Sequence, residues 1–319
     1  MHVVITGASG FVGAGLTGAI LARKSLGGRA IERLTLVDRE FSALPAEGLE
    51  TFTVAGDFGD AAVLDQVFSE PVDLLFHLAS VPGWLAEREY DIGLQINLLA
   101  TLSLMNRLAR QGKGVDVPPR LVFASSIAVY GALSEQPVTR DTPARPTLSY
   151  GAHKLIAEIA LADLSRRGEI DARSLRLPGI VARPMTESGH GSAFMSQIFH
   201  KLAAGLSYEC PVSSSATAWW MSLPCCIENL IHAATFSEAS STPDRVWQLP
   251  VLHLSLDEIV DGLAQRFGSD RKALVTYRPN ENIERHFGRL PPLEASMSFK
   301  DGFMNDGTVD SLIRNALSV

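Results

Sequence analysis

The sequence predicts an α/β protein built around a doubly wound parallel sheet, followed by a smaller C-terminal α/β lobe. Over residues 1–178, short and continuously apolar segments alternate with longer segments of helical periodicity. A glycine-rich turn joins the first of these strands to the first helix. Strands without polar alternation are typical of parallel sheets that helices cover on both faces.

The predicted elements follow one another in regular order. The strands are predicted at 2–6, 34–37, 51–55, 73–79, 120–126 and 172–178. The helices between them are predicted at 11–24, 60–69, 92–111 and 150–167. Such helices fill the crossovers that right-handed connections between parallel strands require. We therefore expect residues 1–178 to form one domain, with a return strand near 245–250.

Residues 179–319 are predicted to form the smaller, loop-rich lobe. Prolines, serines and glycines interrupt its periodic segments, and helices are predicted near 224–236, 255–267 and 308–316. The lobe also carries Cys210, Cys225 and Cys226. The adjacent pair is poorly placed for a disulfide and has no cationic cluster beside it, so we expect buried, unreactive thiols.

The predicted helix 92–111 is apolar around too much of its circumference to be packed on a sheet alone. Two arrangements would cover the additional apolar surface. One is burial under the C-terminal region. The other is a homodimer interface shared with helix 150–167.

The charge balance argues against nucleic acid and membranes as partners. The formal net charge is −7, and no cluster of Lys and Arg overrides it. We find no signal peptide, no apolar run of the ~18 residues that a membrane span needs, and no metal-ligand spacing. We therefore expect a cytoplasmic protein without a metal.

The glycine turn "VVITGASGFVG" points to a dinucleotide. Glycine permits a tight turn at Gly7, close approach of a pyrophosphate at Gly10, and packing of helix against strand at Gly13. Backbone N–H groups at the helix start, around Phe11 and Val12, are suited to bind the phosphates. Glycine spacing alone is a weak signal, because helix–strand turns also need glycine for steric reasons.

Acidic residues after the next two strands strengthen the dinucleotide interpretation. Asp38 ends the second strand, where an acid accepts hydrogen bonds from the adenosine ribose and repels a 2′-phosphate. This favours NAD over NADP. Asp57 and Phe58 follow the third strand, where the adenine edge would lie, although Asp57 could also be a helix cap.

A tyrosine and a lysine in "TLSYGAHKLIAE" form the candidate reactive pair. Tyr150 and Lys154 lie four residues apart, so they face the same way on a helix that Thr147 or Ser149 can cap. A lysine cation favours the phenolate over the phenol. The strand end "FASS" offers Ser125 or Ser126 to hold a substrate hydroxyl, but an exposed Tyr–Lys pair is also common by chance.

Four ordered motifs carry a family resemblance: "TGASGFVG", "HLAS" (77–80), "SSIAVYG" (125–131) and "YGAHK" (150–154). In these the chain resembles the extended short-chain dehydrogenase/reductase superfamily, which has a Rossmann sheet and includes nucleotide-sugar epimerases and dehydratases. The resemblance implies Tyr150 as catalytic acid/base, Lys154 as its activator and nicotinamide-ribose ligand, and Ser126 as the substrate-orienting serine. The implied cofactor neighbours also include Leu78, Ala79, Ser80, Asn97 and Pro178, with Asn97 supporting the active-site helix.

The substrate lobe departs from the nucleotide-sugar enzymes of that superfamily. "LRLPGIVARP" (175–184) and "TAWWMSLP" (217–224) stand where those enzymes carry residues that grip the nucleotide. These segments, with "ERHFGRLP", are similar to the D-erythronate dehydrogenase branch, which implies NAD-dependent oxidation of a small sugar acid. Candidate substrate contacts are Arg183, His190, Ser192 and Trp219, although Trp219 could equally pack in the core.

Two other functions remain open from the sequence. A nucleotide-sugar epimerase or dehydratase would use the same tyrosine and return the hydride from NADH. A redox-silent, NAD-binding regulatory protein would have no need for Ser126, Tyr150 and Lys154 together.

Overall fold

The computed structural model describes residues 1–41, 49–184, 191–237 and 244–318. These form two compact units. The first unit consists of 1–129, 148–176 and 230–247, and the second of 130–147, 177–229 and 248–319. The chain thus returns to each unit after leaving it, whereas the sequence predicts one division at residue 178 and a single return strand.

The helices and strands have the following bounds in chain order. The strands are β1 (His2–Thr6), β2 (Ser25–Leu26), β3 (Arg29–Ala30), β4 (Arg33–Asp38), β5 (Thr51–Ala55), β6 (Leu74–His77), β7 (Arg120–Ser126), β8 (Asp171–Leu177), β9 (Gly179–Val181), β10 (Tyr208–Cys210), β11 (Thr217–Ser222), β12 (Val246–Gln248), β13 (Leu252–Ser255) and β14 (Val275–Tyr277). The α-helices are α1 (Phe11–Arg23), α2 (Ala61–Val67), α3 (Gly83–Arg88), α4 (Tyr90–Gly93), α5 (Thr101–Gly112), α6 (Ser149–Arg166), α7 (Phe194–Ala203), α8 (Leu223–Thr235), α9 (Leu256–Phe267), α10 (Glu281–Phe287), α11 (Ser296–Lys300) and α12 (Val309–Leu317). A π-helical segment (Leu94–Ala100) joins α4 to α5, and 3₁₀ turns cover Ile127–Tyr130 and Ser269–Leu274.

A seven-stranded sheet in the order β12-β8-β7-β6-β1-β4-β5 forms the centre of the first unit. The pairs β1–β4, β1–β6, β4–β5 and β6–β7 are parallel. This confirms the predicted doubly wound α/β class. From β1 the chain first builds outward through β4 and β5, and then builds the other side from β6. In open α/β sheets, ligands bind at such a reversal, outside the carboxyl ends of the strands.

The apolar residues of the central strands are buried in the core of the first unit. All five residues of β1 are buried, as are the four central residues of β4. The sheet residues Val4, Leu75 and Leu121 share one core with Leu104 of α5 and Leu161 of α6. At about 25 cal/mol per Å² of apolar surface removed from water, such side chains supply the main favourable term for this unit.

The predicted helix 92–111 is found as α4, the π-helical segment and α5. Its residues Leu104, Met105 and Leu108 are buried in the core of the first unit. Ile92 and Leu99, by contrast, are exposed. Its extra apolar surface is therefore only partly covered within this unit.

The second unit contains a three-stranded sheet, β13-β11-β9, and a two-stranded sheet, β10-β14. Its core brings together Phe199 of α7, Trp220 of β11, Ile259 of α9 and Ile313 of α12. Among the helices that the structure describes, none has both the length and the apolar character to cross a membrane.

Candidate active site

The glycine turn between β1 and α1 forms a backbone cradle. Gly7 has a φ of +72°, and a Cβ there would lie 2.7 Å from a backbone nitrogen of the loop after β6. A Cβ on Gly13 would lie 1.9 Å from the Gly7 carbonyl oxygen. Helix α1 begins with Phe11 and Val12 after Gly10, and neither a capping side chain nor an acid of its first turn covers its N–H groups. The cradle therefore suits the pyrophosphate of a dinucleotide.

Asp38 lies beside this turn, because β4 pairs in parallel with β1. Its carboxylate accepts hydrogen bonds from the backbone N–H groups of Ser9, at 2.8 Å, and Arg39, at 2.7 Å. Both contacts hold the carboxylate at the mouth of the turn. A negative charge there repels a 2′-phosphate and leaves lone pairs for ribose hydroxyls, as NAD requires.

The two other predicted adenine contacts differ in accessibility. Asp57 is partly exposed, and its carboxylate accepts a hydrogen bond of 2.8 Å from the Gly59 N–H. Phe58 is buried and packs edge-on against His77, with 5.2 Å between ring centroids. Asp57 is thus accessible to a ligand, whereas Phe58 mainly fills the core.

Residues 78–80 form the other wall of the cradle and are partly exposed. Asn97 lies buried behind them. Its side-chain oxygen accepts from the Val81 N–H at 2.7 Å, and its amide nitrogen donates to the Val81 carbonyl at 3.0 Å. Asn97 therefore supports the loop after β6, whereas the family resemblance implied support of the active-site helix.

The two serines at the end of β7 have different environments. Ser125 is buried, and its hydroxyl donates to the Glu158 carboxylate. Ser126 is partly exposed, and its hydroxyl accepts a hydrogen bond of 3.1 Å from the Ala128 N–H. Since only Ser126 combines exposure with a position at the carboxyl edge of the sheet, it is the better candidate to hold a substrate hydroxyl.

Tyr150 and Lys154 lie on the first turns of α6, as the sequence predicts. The Lys154 ammonium nitrogen lies 5.6 Å from the centroid of the Tyr150 ring and donates to the Ala124 carbonyl at 2.8 Å. Lys154 is almost completely buried, whereas Tyr150 is partly exposed. The first unit therefore places the tyrosine, the lysine and the end of the serine strand together.

Burial changes the proton chemistry around this pair. It lowers the pKa of Lys154 to about 7, although the Glu158 carboxylate acts in the opposite direction. Burial also lowers the pKa of His77 to about 3, with a further contribution from Lys154. His77 is therefore neutral at pH 7, and Lys154 can gain or lose a proton near neutral pH.

The start of α6 is held differently from the prediction. Thr147 and Ser149 are the residues suited to cap this helix, but Leu148 occupies the cap position without a side-chain hydrogen bond. Instead, the Glu87 carboxylate of α3 accepts a hydrogen bond of 2.7 Å from the Ser149 N–H. A carboxylate at a helix N-terminus is favourable because it faces the positive end of the helix dipole. Sequence reasoning missed Glu87, because no local motif links residues 62 positions apart.

Of the predicted substrate residues, Arg183 and Ser192 lie in the second unit and are partly exposed. The Arg183 N–H donates to the Ser196 hydroxyl at 3.0 Å, and its carbonyl lies 2.7 Å from a ring nitrogen of His200. These contacts fix the backbone at Arg183. His190 lies outside the described residues.

Trp219 and Pro178 are buried within the second unit. The Trp219 indole N–H donates to the Pro291 carbonyl at 2.7 Å, and its ring packs edge-on against Tyr130. With its side chain fully covered and its donor satisfied, Trp219 offers no surface to a substrate in this conformation. The packing alternative therefore describes it better.

The cysteines have the environment expected of apolar residues. All three are free thiols and buried. Burial raises the pKa of the Cys210 thiol to about 11 and that of Cys226 to about 12. They are therefore poor nucleophiles at neutral pH.

The chain is similar to known proteins in both sequence and structure. Residues 3–221 match the model of the NAD dependent epimerase/dehydratase family. The chain is 34% identical to a D-erythronate dehydrogenase of Cupriavidus necator, over 98% of this chain and 97% of that protein. It is 28% identical to a D-erythronate dehydrogenase of Haemophilus influenzae, over 98% of both chains. A crystal structure described as a nucleoside-diphosphate-sugar epimerase from Agrobacterium tumefaciens superposes with a TM-score of 0.92 at 32% identity, covering 98% of this chain and 92% of that one.

Proposed function

Since this chain belongs to the NAD dependent epimerase/dehydratase family, we propose that its dehydrogenase activity oxidises the C2 hydroxyl of a small sugar acid, D-erythronate, to 2-oxo-D-erythronate. The likeness to two D-erythronate dehydrogenases along nearly the whole chain is the observation that carries the choice of substrate. The cofactor is NAD, in keeping with the family and with the glycine cradle and Asp38.

The reaction assigns one role to each residue of the catalytic group. Ser126 holds the C2 hydroxyl, and the Tyr150 phenolate accepts its proton as the C2–H bond breaks. NAD, when bound, would supply the hydride acceptor for C2, so that the alcohol loses two electrons and two hydrogens in all and becomes a ketone. The Lys154 cation stabilises the phenolate before proton transfer. A positioned base of this kind contributes about 10²–10⁴-fold in rate.

A panel of four- to six-carbon aldonates with NAD tests the substrate. We expect NADH absorbance to grow with D-erythronate, with kcat/KM at least ~10-fold above that for six-carbon aldonates, because a pocket discriminates against extra carbon units. UDP-glucose and UDP-galactose serve as controls and should give no NADH. Turnover of a different aldonate, without turnover of D-erythronate, would contradict D-erythronate as the substrate. Tight NAD binding without turnover of any compound would favour a redox-silent regulator.

A nucleotide-sugar epimerase is the second candidate, favoured by the likeness to the nucleoside-diphosphate-sugar epimerase structure from Agrobacterium tumefaciens. It would convert a UDP-sugar to its epimer without net NADH. Against it, Pro178 and Gly179 occupy the segment where such enzymes carry a nucleotide contact. Product analysis of UDP-sugar incubations separates the two functions.

We also propose that the face formed by α4, the π-helical segment and α6 pairs with a second copy of the chain. Exposed apolar side chains on these elements are Tyr90, Ile92, Leu99, Ile156 and Ile159. A group of apolar side chains that remains in water is typical of an interaction surface. A homodimer through this face would cover the apolar side chains of helix 92–111 that are otherwise exposed.

Substitution Ile159→Glu tests this pairing. Ile159 is 63% exposed, and a glutamate buried in an apolar interface without an ionic partner would be strongly unfavourable, so we expect the solution mass to fall from dimer to monomer. Val117→Glu is the matched control, since Val117 is 80% exposed and lies in the loop between α5 and β7, outside the elements of the proposed face. Light scattering after gel filtration measures the mass. A monomeric wild-type protein would contradict the proposal.

A further inference from the structure

A buried charge network adjoins the catalytic group, and the reaction described above gives it no role. Glu158 of α6 is 2% exposed. Both of its oxygens accept from the Arg176 guanidinium, at 3.0 and 2.7 Å. The Ser125 hydroxyl donates to the same carboxylate at 2.5 Å. A carboxylate removed from water needs such partners, because an unpaired buried charge is strongly destabilising.

This network joins the elements that carry the reactive side chains. Glu158 follows Lys154 by four residues, so both side chains lie on the same face of α6. Ser125 directly precedes Ser126 at the end of β7. Through one carboxylate, the strand that carries the orienting serine is hydrogen-bonded to the helix that carries the tyrosine and the lysine.

Glu158 also supplies negative charge next to Lys154. The groups that face the Lys154 ammonium are the Ala124 carbonyl, the Phe123 and Tyr150 rings and the neutral His77. Burial opposes the protonated form of Lys154, and among the side chains around it Glu158 is the carboxylate that favours this form. Only a protonated Lys154 can stabilise the Tyr150 phenolate.

We propose that Glu158 is a positioning residue for the dehydrogenase reaction, which fixes the strand end at Ser126 and keeps the Lys154 ammonium charged opposite Tyr150. The inference rests on the proposed acid–base function of Tyr150 and Lys154. It goes beyond that function because Glu158 touches neither substrate nor cofactor in it. A purely structural ion pair would stabilise the fold without changing the protonation of the catalytic pair.

Substitution Glu158→Gln separates these two roles. Glutamine keeps an acceptor for Ser125 but removes the charge. Because a negative charge favours the protonated forms of both Lys154 and Tyr150, its loss should move both limbs of the pH profile of kcat/KM to lower pH, by about 0.5–1 unit. We also expect kcat to fall about 2–5-fold at pH 7, because such a shift from the Lys154 pKa of about 7 leaves roughly 10–25% of Lys154 protonated instead of about half. Asp163→Asn is the matched control, since Asp163 lies on the same helix but is solvent-exposed in a pair with Arg166, and it should leave both limbs in place.

Further variants keep the test decisive. If Glu158→Gln alone does not fold, the double variant Glu158→Gln/Arg176→Met removes the ion pair as a unit and should still shift both limbs downward. Folded variants with unmoved limbs would overturn the role of Glu158. Tyr150→Phe distinguishes this failure from failure of the proposed function. Full activity of Tyr150→Phe would contradict Tyr150 as base. If Tyr150→Phe is inactive but Glu158→Gln leaves both limbs of the pH profile in place, only the role of Glu158 is contradicted.

Discussion

Substitution of Tyr150 by phenylalanine should lower kcat by about 10²–10⁴-fold while leaving NAD binding nearly unchanged. Phenylalanine has the same ring but no oxygen to accept the proton of the substrate hydroxyl. Lys154 keeps its hydrogen bond to the Ala124 carbonyl, so the neighbouring charge remains in position. The glycine cradle and Asp38 do not depend on the tyrosine hydroxyl.

Two measurements test this expectation. Initial rates of NADH formation give kcat, and quenching of tryptophan fluorescence gives the affinity for NAD. Tyr277→Phe is the control, because Tyr277 lies in β14 of the second unit and takes no part in the proposed chemistry. Wild-type turnover by Tyr150→Phe would show that another group removes the proton.

Substitution of Gly13 by alanine should cause the largest loss of cofactor affinity. The added Cβ would lie 1.9 Å from the Gly7 carbonyl oxygen, and this neighbour is backbone that cannot move aside as a flexible side chain can. Overpacking typically costs 1–3 kcal/mol, and a forced shift of the cradle also removes N–H groups from the pyrophosphate. We therefore expect NAD affinity to fall at least ~10-fold and the melting temperature to decrease.

Gly18 provides the matched control on the same helix. A Cβ there would meet no atom within 4 Å. Gly18→Ala should keep full NAD affinity and stabilise the protein by about 0.5–1 kcal/mol, because alanine is the better helix former. Titration calorimetry and thermal melting of both variants measure the difference. Equal NAD affinity of Gly13→Ala and Gly18→Ala would contradict the role of the cradle.

The sheet could be predicted from the sequence because its strands are continuous apolar runs. The segments 2–6, 51–55 and 120–126 are found with the predicted bounds. The glycine turn and Asp38 are also placed together, because the carboxyl ends of adjacent parallel strands meet at one edge. The local sequence pattern was sufficient to predict those features that depend on residues close in sequence or on adjacent strands.

Features that depend on distant partners could not be predicted in this way. The hydrogen bond between Ser125 and Glu158 spans 33 positions, and that between Trp219 and Pro291 spans 72. No local pattern identifies such partners. The hairpin β2–β3 is different, since its turn residues Gly27 and Gly28 have positive φ. Gly-Gly is a local hairpin signal, which hydrophobic periodicity does not contain.

The alternation of the chain between its two units has a consequence for synthesis on the ribosome. Residues 230–247, which include most of strand β12, are made only after the whole of 177–229, which belongs to the second unit. Until then, Asp171 lacks Arg245, one of its ionic partners, and the Ser174 N–H lacks the Arg245 carbonyl. Strand β8 is therefore an unpaired edge of the cofactor-binding sheet until β12 has been made. Unpaired edges favour association with other chains. We therefore expect slower translation of residues 177–247 to lengthen the time for which the β8 edge is open to other chains.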